Sequence, residues 1–319
     1  MGNVPTLDDI ARAVRDHPGW TSKSAIGLVS EVLGPSDWQA GPGDDGAVVP
    51  TTGGPVVACG EALLPAFVAR DPRGAGFAAV LTNVNDLAAM GAVPLGVVDT
   101  VVASEDTARL VLEGIRHACA LYGVEVLGGH LTRHDGEPAV SAFGVGEVDV
   151  PLSVTRADAG QSLVVAAATD GHMRPDFPFF PAFEQRAERC AGDVRTLAEL
   201  ASSGAAVAAK DISMAGLVGS LAMLLEWGPL GVQLDLDAVP APGGVDPVAW
   251  LTCFPSFGFL LCVPPGREDD AVGAFHERGI AAAVAGRLDD TGVIGLRRGG
   301  ETAVVADLLT EPVTRLVRR

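Results

Sequence analysis

Strand-length apolar runs alternate with helix-length segments along this chain, pause between Pro151 and Ala159, and then begin again. That restart constrains the fold most, because each round of mixed strands and helices builds one layered α/β or α+β domain. At 319 residues the chain also exceeds what one hydrophobic core usually spans. Two domains are therefore expected, over residues 1–154 and 155–319. In the first, Thr6-Leu-Asp-Asp9 reads as the capped acidic start of a helix over Leu7–Arg15. Short strands follow at Ala47–Val49 and Pro55–Cys59, then an Ala-rich helix over Gly74–Met90 that Gly91 stops. Leu95–Ala103 reads as a strand buried on both faces, and Ser104 caps a helix running to Tyr122. Strands at Val124–Leu127 and Ala139–Glu147 complete this half. The second half predicts strands at Ser162–Thr169, Ala205–Ala209, Gly231–Leu236, Phe257–Val263 and Ala281–Arg287. Its helices are predicted near Ala182–Ser202, Met214–Glu226 and Asp269–Arg278, and two edge strands after Val293.

Composition narrows the function. Apolar residues at 48% suffice for two cores, which must rest on Val, Ala and Leu because aromatics are only 5%. A formal charge of -18 argues against a nucleic-acid partner, whose phosphates it would repel. A small anionic substrate stays possible where metal ions and backbone N–H groups offset the charge locally. The five cysteines are widely spaced and form no CxxC pair, which argues against zinc clusters and disulfide frameworks. They are expected as buried small hydrophobes in a reducing cytoplasm. No apolar run approaches membrane-spanning length, so no membrane partner is expected.

The chemistry concentrates in acidic residues at apparent strand ends: Asp44 and Asp45, Asp86, and Asp211. Adjacent carboxylates repel, and one keeps its proton unless a cation neutralises the pair. Mg²⁺ carrying nucleotide phosphates suits such a set, since it takes oxygen ligands from a few carboxylates plus phosphate. Gly41-Pro-Gly-Asp-Asp-Gly46 matches G-x-G-x-x-G in letters only. It opens a strand instead of a helix and puts two carboxylates where a pyrophosphate would approach. A tight acidic turn is its plainer reading. Asn83 and Asn85, in an otherwise apolar helix, are either a satisfied buried network or ligand-facing groups. Gly128 and Gly129 read as a strand-ending turn whose exposed N–H groups let a phosphate approach. His130 and His134 would not align there, so a zinc pair is not expected. Asp211 or Ser213 either caps the following helix or lies at a strand-to-helix phosphate or metal site. Lys23 either reaches a phosphate or decorates the surface. The aromatic run Phe177–Phe183 is core packing or a substrate platform, and the nearby His172 and Arg174 are candidate substrate contacts.

In this order the segments resemble the aminoimidazole ribonucleotide synthetase (PurM-like) superfamily. Gly43-Asp-Asp-Gly-Ala-Val-Val49 is similar to its GDDAAV signature, and Asn85-Asp-Leu-Ala-Ala-Met-Gly-Ala92 to its ND-[IL]-A-A-M-G segment. Gly128-Gly129 resembles its GG turn, and Lys210-Asp-Ile-Ser-Met-Ala-Gly216 its second-domain aspartate motif. The resemblance implies an N-terminal mixed sheet with helices that joins a dimeric barrel, and a C-terminal α+β domain. It further implies a homodimer binding ATP and Mg²⁺, with Asp44, Asp45, Asp86 and Asp211 as metal ligands. Asp86 and Asp211 would then be catalytic, and Gly128, Gly129 and Asn83 would line the phosphate path. Lys23, Asn85 and His130 complete the nucleotide-contact candidates. The implied activity is ATP-dependent phosphorylation or activation of a small metabolite, of phosphotransferase or ligase type. The uncharacterised synthetase-related branch is the nearest match in pattern. A thiamine-monophosphate kinase-like phosphotransferase is one alternative. A non-catalytic nucleotide-binding protein of the same fold is another, motivated by two departures: Cys59-Gly-Glu61 and His130 stand where relatives often carry acids.

Overall fold

A computed structural model describes residues 5–35 and 43–317. Gly41 and Pro42 of the acidic turn lie outside the described residues. Packing divides the chain into two compact units that no single cut separates: residues 45–151 with 186–202 form one, and residues up to Asp44, 152–185 and from Ser203 onward form the other.

The chain opens with α1 (Leu7–Arg15), α2 (Pro18–Thr21) and α3 (Gly27–Leu33), all in the second of these units. Helix α1 starts as expected: the Thr6 hydroxyl accepts from the Asp9 N–H, and Asp9 reaches back to the Thr6 N–H. The first unit is built on β1 (Ala47–Val49), β2 (Val56–Leu63), β3 (Val93–Ala103), β4 (Glu125–Arg133) and β5 (Ala139–Glu147). They form one mixed sheet in the order β1-β2-β5-β3-β4, in which only β3 and β4 pair in parallel. Two expectations need correction here. Strand β3 alternates, with Val97, Val101 and Ala103 buried and Leu95 exposed, so it is not buried on both faces. Strand β4 does not stop at Leu127 but runs through the paired glycines to Arg133.

Between β2 and β3 lie α4 (Pro65–Arg70) and α5 (Pro72–Ala89), and α6 (Glu105–Tyr122) connects β3 to β4. The Ser104 hydroxyl caps α6, and Gly123 ends it in the left-handed region at φ 62°. The two long helices approach through glycine. A Cβ on Gly76 would lie 2.0 Å from the Val111 carbonyl oxygen, and one on Gly114 would lie 2.0 Å from that of Arg73.

The first unit also takes in an excursion from the second half of the sequence, α7 (Cys190–Asp193) and α8 (Thr196–Ser202). A single helix over Ala182–Ser202 is thus corrected to two short ones. The turn between them lets α7 meet α6 while α8 meets α5. The excursion is held by an Arg186 Nε–Asp193 Oδ2 ion pair of 2.8 Å, both side chains 2% exposed. Arg195 Nη2 also donates to the Gly123 carbonyl at 3.2 Å.

The other unit contains β6 (Ser162–Ala167), β7 (Phe179–Phe180), β8 (Ala208–Asp211), β9 (Gly231–Asp235), β10 (Phe254–Pro255), β11 (Gly258–Val263), β12 (Ala281–Asp289), β13 (Val293–Arg298) and β14 (Glu301–Asp307). Seven of these form a sheet in the order β14-β13-β9-β12-β6-β11-β8, with α9 (Gly216–Leu225) and α11 (Glu268–Glu277) packed on it and α10 (Pro247–Thr252) packed on α9. Strand β14 is an edge as expected, whereas β13 lies inside, parallel to β9. The opposite edge, β8, is wholly buried. The 3₁₀ turn Val154–Arg156 packs beside it, and the Ser153 N–H donates to the Val207 carbonyl at 3.3 Å.

The glycine contact of α5 and α6 yields a test in which two effects have opposite signs. Gly76→Ala raises helix propensity by about 1 kcal/mol, yet its methyl would overlap the Val111 carbonyl. Overpacking costs about 1–3 kcal/mol, so the variant should be net destabilised in urea unfolding; a stabilised variant would refute the close approach.

Candidate metal and nucleotide site

Asp45 leaves the turn that precedes β1, and its neighbour Gly46 lies flat against β2. A Cβ at Gly46 would stand 2.7 Å from Val57 Cγ1. Asp86 lies near the end of α5, whose stop follows at Met90 and at Gly91, φ 70°. A carboxylate oxygen of Asp45 and one of Asp86 lie within 4.8 Å of each other, both side chains half-buried. The structure therefore pairs Asp45 with Asp86 and not with its sequence neighbour. Asp44 is engaged elsewhere: its Oδ2 accepts from the Ser153 hydroxyl and its Oδ1 from the Val154 N–H, both at 2.7 Å.

Asn83 is fully buried. Its Nδ2 donates to the carbonyls of Ala79 (2.7 Å) and Ala142 (3.2 Å). Its Oδ1 accepts from the Gly144 N–H (2.7 Å) and the Cys59 thiol (3.2 Å). Both donors and both lone pairs are thus used, which decides for the buried network at this position. Asn85 is also fully buried in α5. Burial, followed by the negative charge of Asp86, pushes the Cys59 thiol far above its ordinary pKa, with Asp45 and Glu61 adding to the rise. Cys59 stays a thiol that donates to Asn83, so the groups facing the Asp45–Asp86 pair offer hard oxygen, not thiolate. That donor chemistry fits Mg²⁺.

Gly128 and Gly129 stand in the middle of β4, opposite Val98 and Asp99, next to a register shift; they form no turn. A Cβ on Gly128 would meet nothing within 4 Å, while one on Gly129 would lie 2.6 Å from Asp99 Oδ2. His130 is exposed on the same strand, its Nε2 3.2 Å from Thr132 Oγ1. A cavity of about 570 Å³ opens between α6 and the ends of β3 and β4, but its charges are largely paired. Glu105 there meets Arg109 at 3.3 Å and Arg133 at 3.8 Å.

The remaining candidates belong to the other unit. Asp211 ends β8, buried, opposite Phe259. Helix α9 begins after Ala215 without a side-chain cap, so neither Asp211 nor Ser213 is the expected N-cap. The buried Lys210 donates from Nζ to the Gly43 carbonyl at 3.1 Å. Lys23 is half-buried in the 3₁₀ turn Ser22–Ile26. His172 and Arg174 are exposed in the loop after β6, where Arg174 Nε lies 3.5 Å from Asp176 Oδ1. In the aromatic run Phe180 is core, packed edge-on against Trp250 at 5.1 Å, whereas Phe177 is exposed.

Sequence reasoning missed Asp99, a buried acid on β3 whose only advance sign was a charged residue inside an apolar strand. It also missed Ser153, which looked like linker.

The chain matches the family descriptions "AIR synthase related protein, N-terminal domain" over residues 43–148 and "AIR synthase related protein, C-terminal domain" over residues 146–298. It belongs to the AIR synthase-related family. An uncharacterized protein of Synechocystis sp. is 33% identical over 275 residues, 85% of each chain. Phosphoribosylformylglycinamidine synthase subunit PurL of Synechococcus elongatus is 28% identical over 230 residues, 64% of this chain but 30% of that one. Among solved structures, Thermotoga maritima PurL complexed with ADP superimposes with TM-score 0.75 at 19% identity, over 96% of this chain and 51% of that one. This chain thus spans about half the length of that PurL. AaThiL complexed with AMPPCP and TMP gives TM-score 0.65 at 21% identity, over 87% and 93% of the two chains. At these identities the structures establish the fold, and that fold is the two-domain PurM-like one.

Burial raises the pKa of Asp99. A carboxyl whose folded pKa exceeds its unfolded value binds more protons in the native state, so stability falls as pH rises between the two values. Asp99→Asn should therefore be more stable than the parent at pH 8, with the advantage shrinking toward pH 4; a pH-independent difference in urea midpoints would contradict this.

Proposed function

We propose that this protein is an ATP- and Mg²⁺-dependent enzyme that phosphorylates or ATP-activates a small metabolite. The observation that carries the reading is the Asp45–Asp86 pair, two carboxylates from separate elements within 4.8 Å in the N-terminal family domain. Held that close, they favour a divalent cation over mutual repulsion. Nucleotide complexes of the related folds, PurL with ADP and AaThiL with AMPPCP and TMP, support the choice of ATP. Asp45 and Asp86 would hold Mg²⁺, which supplies charge neutralisation for the phosphates; in such chemistry the protein mainly positions. Asp211 enters as a further ligand and catalytic group on the strength of the motif resemblance, and its substitution is a separate test. Gly128 and Gly129 are retained as the phosphate-path glycines on the strength of the motif resemblance alone. Lys23, Asn85 and His130 are retained as nucleotide contacts, and His172 and Arg174 as substrate contacts. The functional division at residues 1–154 and 155–319 is part of the proposal.

A homodimer through β4 and a cytoplasmic location complete it. Every residue of β4 is exposed, including Val126, Leu127 and Leu131, an open edge that a second copy would cover. All five cysteines are buried thiols outside any disulfide, and no helix of the described residues is long and apolar enough to cross a membrane. Leu131→Asp should convert a dimer to a monomer in light scattering; a parent that runs as a monomer removes this element.

Titration calorimetry tests the main reading: ATP should bind with Mg²⁺ and far more weakly with EDTA. Asp86→Asn should lower the affinity by about tenfold or more, near 1.4 kcal/mol. No binding by the parent in Mg²⁺ rejects the proposal. The Glu61 and His130 departures favour a second reading, nucleotide binding without catalysis. Binding without turnover in a metabolite pool would select it, and thiamine-monophosphate phosphorylation would select the kinase-like alternative.

A further inference from the structure

Asp44 and Asp45 sit next to each other yet do different things. Position 44 is an isolated bridge residue, and Asp45 stands in the bend that follows it. Asp45 turns toward Asp86. Asp44 turns the other way, accepting the Ser153 hydroxyl and the Val154 N–H, one on each carboxylate oxygen. Ser153 is itself committed, since its Oγ accepts from the Thr155 N–H at 3.3 Å and lies 2.8 Å from Thr155 Oγ1. On the residue before, the Gly43 carbonyl accepts the buried ammonium of Lys210 at 3.1 Å. Gly43 has φ 112°, a conformation other residues rarely adopt, and Gly46 has no space for a side chain. Three residues of the short segment from Gly43 to Gly46 (Gly43, Asp44 and Gly46) are therefore each constrained by a different device.

We propose that Asp44 is a positioning residue of the metal site and not one of its ligands. The inference rests on the metal reading above and deepens it. The Asp44 carboxylate, bonded to Ser153 and Val154, sets the backbone that aims Asp45 at Asp86. Swinging the Asp44 carboxylate away from Ser153 and Val154, toward an ion held by Asp45 and Asp86, would break two charge-assisted hydrogen bonds and leave the Val154 N–H without its acceptor. The role needs acceptors on the side chain, not its charge. An asparagine at 44 keeps an oxygen for the Val154 N–H and an amide that donates to the Ser153 oxygen, whereas alanine keeps neither.

Mn²⁺ serves as the probe, its binding to the full chain followed by electron paramagnetic resonance. Protection of the Val154 amide is followed by hydrogen exchange. Asp44→Asn should bind Mn²⁺ within about threefold of the parent, the effect of removing a charge that is not a ligand. Asp44→Ala should lose about tenfold or more, as removal of a group orienting a ligand does, and should lose protection at Val154. Ser153→Ala should weaken binding in the same direction, and the Asp44→Ala/Ser153→Ala pair should be no weaker than Asp44→Ala alone. Asp45→Asn, which alters a carboxylate of the pair, is the reference for a lost ligand. Asp44→Asn weakened as much as Asp45→Asn would make Asp44 a ligand and overturn the proposal. So would Asp44→Ala binding Mn²⁺ like the parent. Should Asp44→Ala fail to fold, Asp44→Asn and Ser153→Ala decide. A parent that binds no Mn²⁺ removes the metal reading itself and this role with it, whatever the Val154 amide reports.

Discussion

Helix α5 is buried along nearly its whole length, from Ala75 to Ala89, so its amphipathicity does little to fix its rotation about its own axis. Apolar contacts are non-directional and would accept neighbouring rotations at modest cost. The Asn83 amide supplies the missing direction. Its bonds to Ala142 and Gly144 of β5, and to Cys59 of β2, allow one azimuth and one height only. Asp86 follows three residues later, on the same side of the helix. The orientation of Asp86 is thus inherited from a buried network that contacts no ligand itself. The cost of leaving any of these partners unmade, about 1–3 kcal/mol per buried group, makes the arrangement rigid.

Much of this was legible in the sequence, and the reasons differ by element. Helices α1 and α6 were readable because their ends carry chemistry: Thr6 with Asp9, Ser104 with acids in the first turn, and Gly123 at the close. Strands β5, β6 and β11 were readable from apolar runs of strand length. The second half of β4 was not, since a strand exposed on both faces has no burial pattern to impose on its residues. Its glycines then looked like a stop when they are a flat stretch mid-strand. The helix expected over Ala182–Ser202 failed for a converse reason. The apolar positions there are buried, but they serve two partners, α6 and α5, which one straight helix cannot reach.

Among the acidic residues, the letters show which are present but not which of them meet. Asp44 and Asp45 invite a reading as one repelling couple, because sequence proximity is all that a string displays. Ser153 and Val154 take up the Asp44 carboxylate, and a carboxylate from 41 residues along the chain (86 − 45) becomes the neighbour of Asp45 instead. Asn83 and Asn85 were recognisable as unusual in an apolar helix, yet whether an amide faces a ligand or a strand depends on β5, which is distant in sequence.

Charge shapes how such a site would operate. The chain carries a formal -18, and around Cys59 burial, followed by the negative charges of Asp86, Asp45 and Glu61, pushes the thiol pKa up. Distant charges are screened beyond about 8 Å at physiological salt, so the local carboxylates dominate what an approaching polyphosphate meets. Without a cation they repel it. Under the proposed reading, Asp45 and Asp86 would hold a divalent ion that supplies the opposite charge, and the carboxylates that disfavour free nucleotide would then favour its metal complex. Metal and nucleotide are then thermodynamically coupled, each raising the affinity of the other by the same factor. Strong net acidity and an anionic ligand are compatible on these terms, because discrimination against the uncomplexed nucleotide comes from the same carboxylates that bind the complex.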